Sequence, residues 1–415
     1  MWMIVALATF VAAAFAPLSF DEAFWLAITR QLDQGARLYS TAVDHKTPVW
    51  FALVRALDWI PGSFALARAL LLAAIAAMIV RLLTRLGRRP ADSGIVVAVA
   101  LLASHLALTI ELVAAALVLL VVVEYERRPL ASIALSVLAV WLDVRLYALL
   151  GALALVAVFE HRQRRWAIGG TLLLLANGIL LMSWGELRFG VIELAAASRS
   201  YIEWSPLRQL GVAVAILSPL TPLFAKDLLK EWWVLLAGGT LIALASLHPF
   251  SHYWIYAILA AGFVVVGSRK RRLLASGLML APLIVAGGLV VSDHGKERTY
   301  RFAAEQLAER LAPDETFIPF DVNPHLAAFL PGHTKLRSGN VMYAATATQR
   351  LDYFREDLMT SVEDADLIVA PAGQLRTPLH PPLLEDLRTR IAEELDSFDC
   401  EYRIGGLIVY DRDCD

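Results

Sequence analysis

Cysteine is nearly absent: the 415-residue chain carries two, Cys400 and Cys414, both close to its C-terminal end. No Cys-x-x-Cys pair and no Cys/His ligand spacing exists, which excludes the common structural zinc sites. The pair forms a disulfide if that part of the chain lies in an oxidising compartment, and stays as two thiols otherwise. Charge is scarce as well. Only 18% of residues are Asp, Glu, Lys or Arg, against roughly 25% in soluble globular domains. A formal net charge of −2 lacks the basic excess expected of a nucleic-acid partner.

What replaces charge is apolar surface. Hydrophobic residues make up 58% of the chain, and the mean hydropathy is +0.59. The excess is segregated: long apolar runs fill residues 1–291, whereas 292–415 reads as an ordinary soluble domain. A bilayer core of about 30 Å takes roughly 20 apolar residues as a helix. That rule predicts spans near 2–18, 64–84, 92–107, 109–124, 130–144, 146–160, 166–184, 207–225, 232–247, 252–267 and 273–291, about eleven in all. The stretch 92–124 also reads as a tight hairpin or a partly re-entrant segment. The expected architecture is a polytopic α-helical membrane domain, 1–291, followed by a small α/β domain, 292–415.

Arginine and lysine in the connections set the orientation. Arg81, Arg85, Arg88 and Arg89 follow the second span, and Arg127 and Arg128 the fourth. Arg162, Arg164 and Arg165 follow the sixth, Lys226 and Lys230 the eighth, and Arg269, Lys270, Arg271 and Arg272 the tenth. Alternating spans put every cluster on one side, the cytoplasm. The loops at 19–63 and 185–206, the turn at 248–251 and the C-terminal domain then face outward in a multi-pass plasma or inner membrane protein. Residues 2–16 end in Ala-Ala-Ala-Phe-Ala without a preceding positive region, so an uncleaved first span is expected rather than a signal peptide.

The loop 19–63 holds the densest set of chemical groups. Asp21 and Glu22 follow the first span directly, and apolar residues at 24, 25, 28 and 32 share one helical face. That spacing predicts a surface helix over 21–33 that Gly35 ends. Pro48 fits the first turn of a second, over 48–59. Between them lie Gly35-Ala36-Arg37-Leu38-Tyr39 and Asp44-His45-Lys46-Thr47-Pro48. Alone, an Asp-Glu pair at a helix start is an ordinary N-terminal signature. In this combination the loop resembles that of the GT-C glycosyltransferases, in the branch of protein O-mannosyltransferases and lipid A aminoarabinose transferases. Their first outward loop carries an Asp-Glu pair, a Gly-x-x-x-Tyr-type segment and a Lys-Pro-Pro motif; Thr47 stands here for the first proline. Thr109-Ile110-Glu111-Leu112 and the segment around His252-Tyr253 are similar to two further motifs of that family.

The resemblance implies an inverting glycosyltransferase that moves a sugar from a polyprenyl-phosphate donor to a hydroxyl of a lipid, glycan or protein. A departing phosphate monoester needs no proton, so one carboxylate base suffices where a glycoside hydrolase uses two groups. By the same resemblance Asp21 is that base, with Glu22 supporting it or binding the acceptor. Lys46 meets the donor phosphate, Tyr39, Asp44 and His45 flank the substrate, and His252 and Tyr253 cap the phosphate. Arg145, in Trp141-Leu142-Asp143-Val144-Arg145-Leu146-Tyr147, is a second phosphate candidate because a cation at membrane depth is a functional suspect. Its competing role is an ion pair with Asp143. Glu111 and His105 face the same outer side. No metal ligands are assigned. The superfamily has metal-dependent and metal-independent members, so a divalent ion stays open as a cofactor.

In the C-terminal domain, helices are expected over 296–311, 348–359 and 382–395. Strands are expected over 316–320, 366–371, 399–404 and 406–411, with Gly405-Gly406 turning the last pair. It lacks a P-loop, a Gly-x-Gly-x-x-Gly turn and a nucleophile elbow, and no chemistry is assigned to it. The rival reading from another class is a transporter or flippase of lipid-linked saccharides. Such proteins place ionisable groups at the bilayer midplane, whereas here they gather at outward ends.

Overall fold

A computed structural model describes the chain apart from residues 40–43, 45, 62, 126, 160–163, 195–204, 225–229, 246–250, 264, 313–314, 320–324, 331–358, 361, 372–384 and 414–415. Two compact units emerge. One comprises Met1–Ala16, Leu57–Trp184 and Trp204–Val291; the other comprises Pro17–Ala56, Gly185–Glu203 and Ser292–Asp415. The loop expected with the membrane domain thus contributes 17–56 to the unit that holds the C-terminal residues.

The first unit is helical. Its early members are α1 (Trp2–Phe15), α4 (Phe64–Arg85), α5 (Pro90–Ala103), α6 (Ile110–Glu124), α7 (Pro129–Leu142), α8 (Leu146–Phe159) and α9 (Arg164–Ser183); α2 and α3 belong to the second unit's segment. Among the described residues three helical stretches are long and apolar enough to cross a membrane: α4, α9 and the 40-residue run Arg269–Ala308; the bent pair Trp2–Phe15 and Phe20–Asp33 would make a fourth if it counts as one span. Most other expected spans form shorter apolar helices. α5 and α7 have 14 residues each, roughly 21 Å at 1.5 Å per residue, less than a bilayer core. The break after α5 is local: Ser104 ends the helix, and His105 and Leu106 both adopt positive φ, 56° and 59°.

The span expected over 252–267 takes a different form. A 3-10 turn, Ser251–Trp254, leads into a seven-residue helix, Ile255–Ala261, with every residue buried. Beyond it Val266 N–H donates to Leu223 O at 2.7 Å, and Phe224 and Val265 form an isolated β-bridge. Enclosure by protein explains why non-helical backbone is tolerated here, since its polar groups bond internally.

One buried cation in this unit escaped the sequence reading. Arg68, in the second turn of α4, is 0% exposed, and its Nη2 donates to Ala13 O at 2.8 Å and Ala16 O at 2.7 Å. The carbonyls at the end of α1 lack intrahelical partners and carry the negative end of the helix dipole. A guanidinium satisfies both, which makes its burial tolerable.

In the second unit, α2 spans Phe20–Asp33 and α3 Pro48–Asp58. Trp25 of α2 and Trp50 of α3 meet edge to face, 4.9 Å between ring centres, an arrangement favoured by the ring quadrupoles. The expected separate helix at 296–311 is the continuation of one 29-residue helix, Leu280–Ala308. Its far end packs with a four-stranded mixed sheet: β1 (Phe317–Pro319), β2 (Leu367–Pro371), β3 (Cys400–Ile404) and β4 (Leu407–Asp411), in the order β1-β2-β4-β3. β1 and β2 are parallel; β4 runs antiparallel to both β2 and β3. Gly405, at φ +60°, turns β3 into β4. Ala303, Leu307, Phe317, Leu326, Val369 and Val409 form the core. Cys400 is disulfide-bonded. The helix expected over 382–395 is seen as Glu385–Leu395, and the one expected over 348–359 lies almost wholly outside the described residues.

Candidate functional site

Local sequence builds the start of α2. Ser19 is its N-cap, and its hydroxyl accepts from Glu22 N–H at 3.2 Å while Glu22 Oε2 accepts from Ser19 N–H at 3.0 Å. This reciprocal capping box satisfies two donors that a helix start leaves open. Glu22 is fully buried in that role. Asp21, its neighbour in the first turn, is half-buried. The two adjacent carboxylates therefore differ in burial, Glu22 enclosed in the cap and Asp21 half-buried beside it.

Gly35, at φ +95°, closes α2. Tyr39 then takes a positive φ of 70° and is 7% exposed. Its hydroxyl donates to Lys46 O at 2.7 Å, which ties Tyr39 to the Lys46 backbone. Burial, aided by the Asp44 carboxylate, pushes the Tyr39 phenol well above its ordinary range, so it stays a protonated donor. Gly190, from the 185–203 segment of the same unit, lies flat against the Tyr39 ring; a Cβ there would occupy the ring's own space. Asp44 and Thr47 are buried, and Lys46 is half-buried. The Lys46 ammonium makes no ion pair among the described residues. His45 lies outside them.

The remaining expected residues come together in the first unit. Arg145 Nε donates to Asp143 Oδ1 at 2.8 Å, and its Nη2 reaches Asp143 Oδ2 at 2.6 Å and Glu111 Oε1 at 2.5 Å. The Tyr256 hydroxyl donates to Asp143, and the Arg145 guanidinium stands 5.0 Å from the centre of the Tyr253 ring. His252 and Tyr253 have ring centres 4.5 Å apart. His105 Nε2 is 2.6 Å from the Ser251 hydroxyl, which donates to Ala103 O at 2.7 Å. Sequence reasoning missed Tyr256 and Ser251. Tyr256 sits three residues beyond Tyr253, so helical spacing was an available signal.

This cluster joins one cation to two carboxylates that are 2% and 4% exposed. The ion pair that competed with a phosphate role for Arg145 is thus present, and Arg145 is already neutralised by protein groups. Replacing one partner of a buried pair typically costs about 3–5 kcal/mol, because the other charge stays buried alone. Arg145→Leu is expected to lose that much stability, read by thermal melting of the detergent-solubilised chain. Adding Glu111→Gln and Asp143→Asn should recover most of the loss. Unchanged melting in Arg145→Leu would show that charge compensation is not its role.

Among the described residues no three His, Cys, Asp or Glu side chains are arranged to hold a metal ion. No protein-family model matches the chain, and no curated protein matches it in sequence. Solved structures do. ArnT from Cupriavidus metallidurans bound to undecaprenyl phosphate superposes with a TM-score of 0.62 at 12% identity, over 100% of this chain and 98% of that one. The apo state of the same protein gives 0.63 at 13% identity, over 99% and 97%. ArnT is a lipid A aminoarabinose transferase of GT-C type. The chain has a GT-C fold. The chain is thus mostly helical and resembles a polytopic membrane fold.

Proposed function

We propose that the chain is an inverting glycosyltransferase that takes a sugar from a polyprenyl-phosphate donor and places it on a hydroxyl acceptor at the extracytoplasmic face. The observation that carries this reading is end-to-end agreement with a fold solved with undecaprenyl phosphate bound, combined with a half-buried Asp21 held in a capped helix turn. Asp21 accepts the acceptor's hydroxyl proton as the anomeric carbon is attacked. The bond to the phosphate oxygen breaks, and the leaving phosphate keeps the electron pair. Lys46 stabilises that growing charge. It suits the task better than Arg145, because its ammonium is not matched by a carboxylate among the described residues. Tyr39 sets the Lys46 backbone through its hydroxyl, and Glu22 fixes the turn. Release of free undecaprenyl phosphate from synthetic undecaprenyl-phosphate pentoses and hexoses, with a cell-envelope extract supplying the hydroxyl acceptor, tests the reading. Tight carrier binding without any release would favour a transporter or flippase.

The side of the membrane rests on the alternation of basic loops. A disulfide at Cys400 supports it, since disulfides persist in oxidising compartments. Single cysteines introduced at 19–63 and 292–415 should react with an impermeant maleimide in intact cells. Cysteines at 81–90 and 269–272 should react only after permeabilisation. Protection of 292–415 in intact cells would overturn both orientation and mechanism.

A further inference from the structure

The peptide group of Leu18, immediately before the Ser19 cap, is gripped from both sides by distant residues of its own unit. Its N–H donates to Glu297 Oε2 at 2.7 Å, and its carbonyl lies 2.8 Å from His325 Nε2. These partners are 279 and 307 residues away in sequence. Each is itself held. Arg301 Nη2 donates to Glu297 Oε1 at 2.8 Å, so both carboxylate oxygens are engaged. The same guanidinium lies 4.4 Å from the centre of the Phe329 ring. His325 is fully buried and stacks on Tyr300, with 6.3 Å between ring centres and 16° between planes. At the other end of α2, Arg30 donates to the carbonyl of Ala328. The short helix His325–Phe329 is therefore tied to both ends of α2.

Burial holds the His325 imidazole below the ordinary histidine range; the Leu18 carbonyl and the carboxylates of Glu297 and Glu22 oppose this, and the Lys296 ammonium reinforces it. A neutral ring facing a carbonyl carries its proton on Nε2, because only a donor satisfies that oxygen. The clamp and the capping box together leave the first turn of α2 little freedom. Asp21 is the second residue of that turn, three beyond Leu18.

We propose that Glu297 and His325 are positioning residues of the transfer reaction, acting through Leu18 to fix the Asp21 carboxylate. The proposal rests on the reading of Asp21 as the base. It gives residues 292–415 a part in turnover that none of their own motifs suggested. Geometry is where such a part would show, since a displacement of about 1 Å far from the reacting atoms can cost a hundredfold in rate.

The test uses the full chain in nanodiscs, with undecaprenyl phosphate as binding probe and, as turnover, its release from the synthetic undecaprenyl-phosphate sugars in the presence of a cell-envelope extract that supplies the hydroxyl acceptor. His325→Leu is expected to lower kcat about tenfold to a hundredfold, with undecaprenyl phosphate affinity within about twofold of wild type. His325→Gln should recover most of the loss, because its amide N–H still donates to Leu18 O. Combining His325→Leu with Asp21→Asn should add little to Asp21→Asn alone, as expected of residues acting through one group. If His325→Leu does not fold, Glu297→Asp replaces it, keeping the charge and withdrawing the acceptor by one methylene; its kcat should fall likewise. Wild-type kcat in folded clamp variants, or full additivity with Asp21→Asn, overturns the proposal and leaves Asp21 as the base. Wild-type turnover in Asp21→Asn instead overturns the assignment of the base, and the positioning role falls with it.

Discussion

Asp21→Asn is expected to cut turnover by at least about a hundredfold, the lower end for loss of a general base. The substitution keeps side-chain size and hydrogen bonding and leaves the helix cap to Ser19 and Glu22. Stability and binding of undecaprenyl phosphate should therefore stay near wild type, and the whole effect should fall on kcat. Glu22→Gln is the informative companion. An amide oxygen still accepts from the Ser19 N–H, so this variant should lose far less activity. Measured kcat for the pair separates the base from the cap. Near-normal turnover in Asp21→Asn would move the base to Asp44.

Lys46→Ala is expected to weaken undecaprenyl phosphate binding about tenfold to a hundredfold, the effect of losing a hydrogen bond to a charged group worth roughly 1.5–3 kcal/mol. Turnover should fall further, because phosphate charge grows as the sugar departs. Removing one such electrostatic contact costs about 2.7–4 kcal/mol of barrier. Lys46→Arg should recover part of the binding and less of the rate, since a planar guanidinium does not occupy the same point as a compact ammonium. Carrier affinity measured for Lys46→Ala and Asp21→Asn gives the contrast: the first variant loses affinity, the second does not. Equal affinity in wild type and Lys46→Ala would remove Lys46 as the phosphate ligand.

The helix over 21–33, its Gly35 stop and the Pro48 start of α3 were legible because each rests on local chemistry: apolar spacing, a positive φ and a fixed proline φ. The β3–β4 hairpin was legible for the same reason. Span lengths were not. Hydropathy counts apolar residues, but Ile255–Ala261 is apolar because protein surrounds it, and a window average cannot distinguish that enclosure from lipid. Nor does hydropathy register the positive φ at His105 and Leu106 that ends a helix short.

For the site, sequence alone determined which residues could do chemistry: Asp21, Glu22 and Lys46 on one short loop, and Arg145 beside Asp143. Their proximity along the chain is enough to state roles. Which of the paired groups is already spoken for was decided in the folded chain, locally for Glu22 and Asp143 and by tertiary structure for Glu111. Glu22 is committed to the Ser19 cap and Arg145 to Asp143 and Glu111. The hold of Glu297 and His325 on Leu18 belongs entirely to tertiary structure. Contacts that close across hundreds of residues leave no periodicity, spacing or motif behind, because they depend on where folding brings two backbones and not on what lies next to either one.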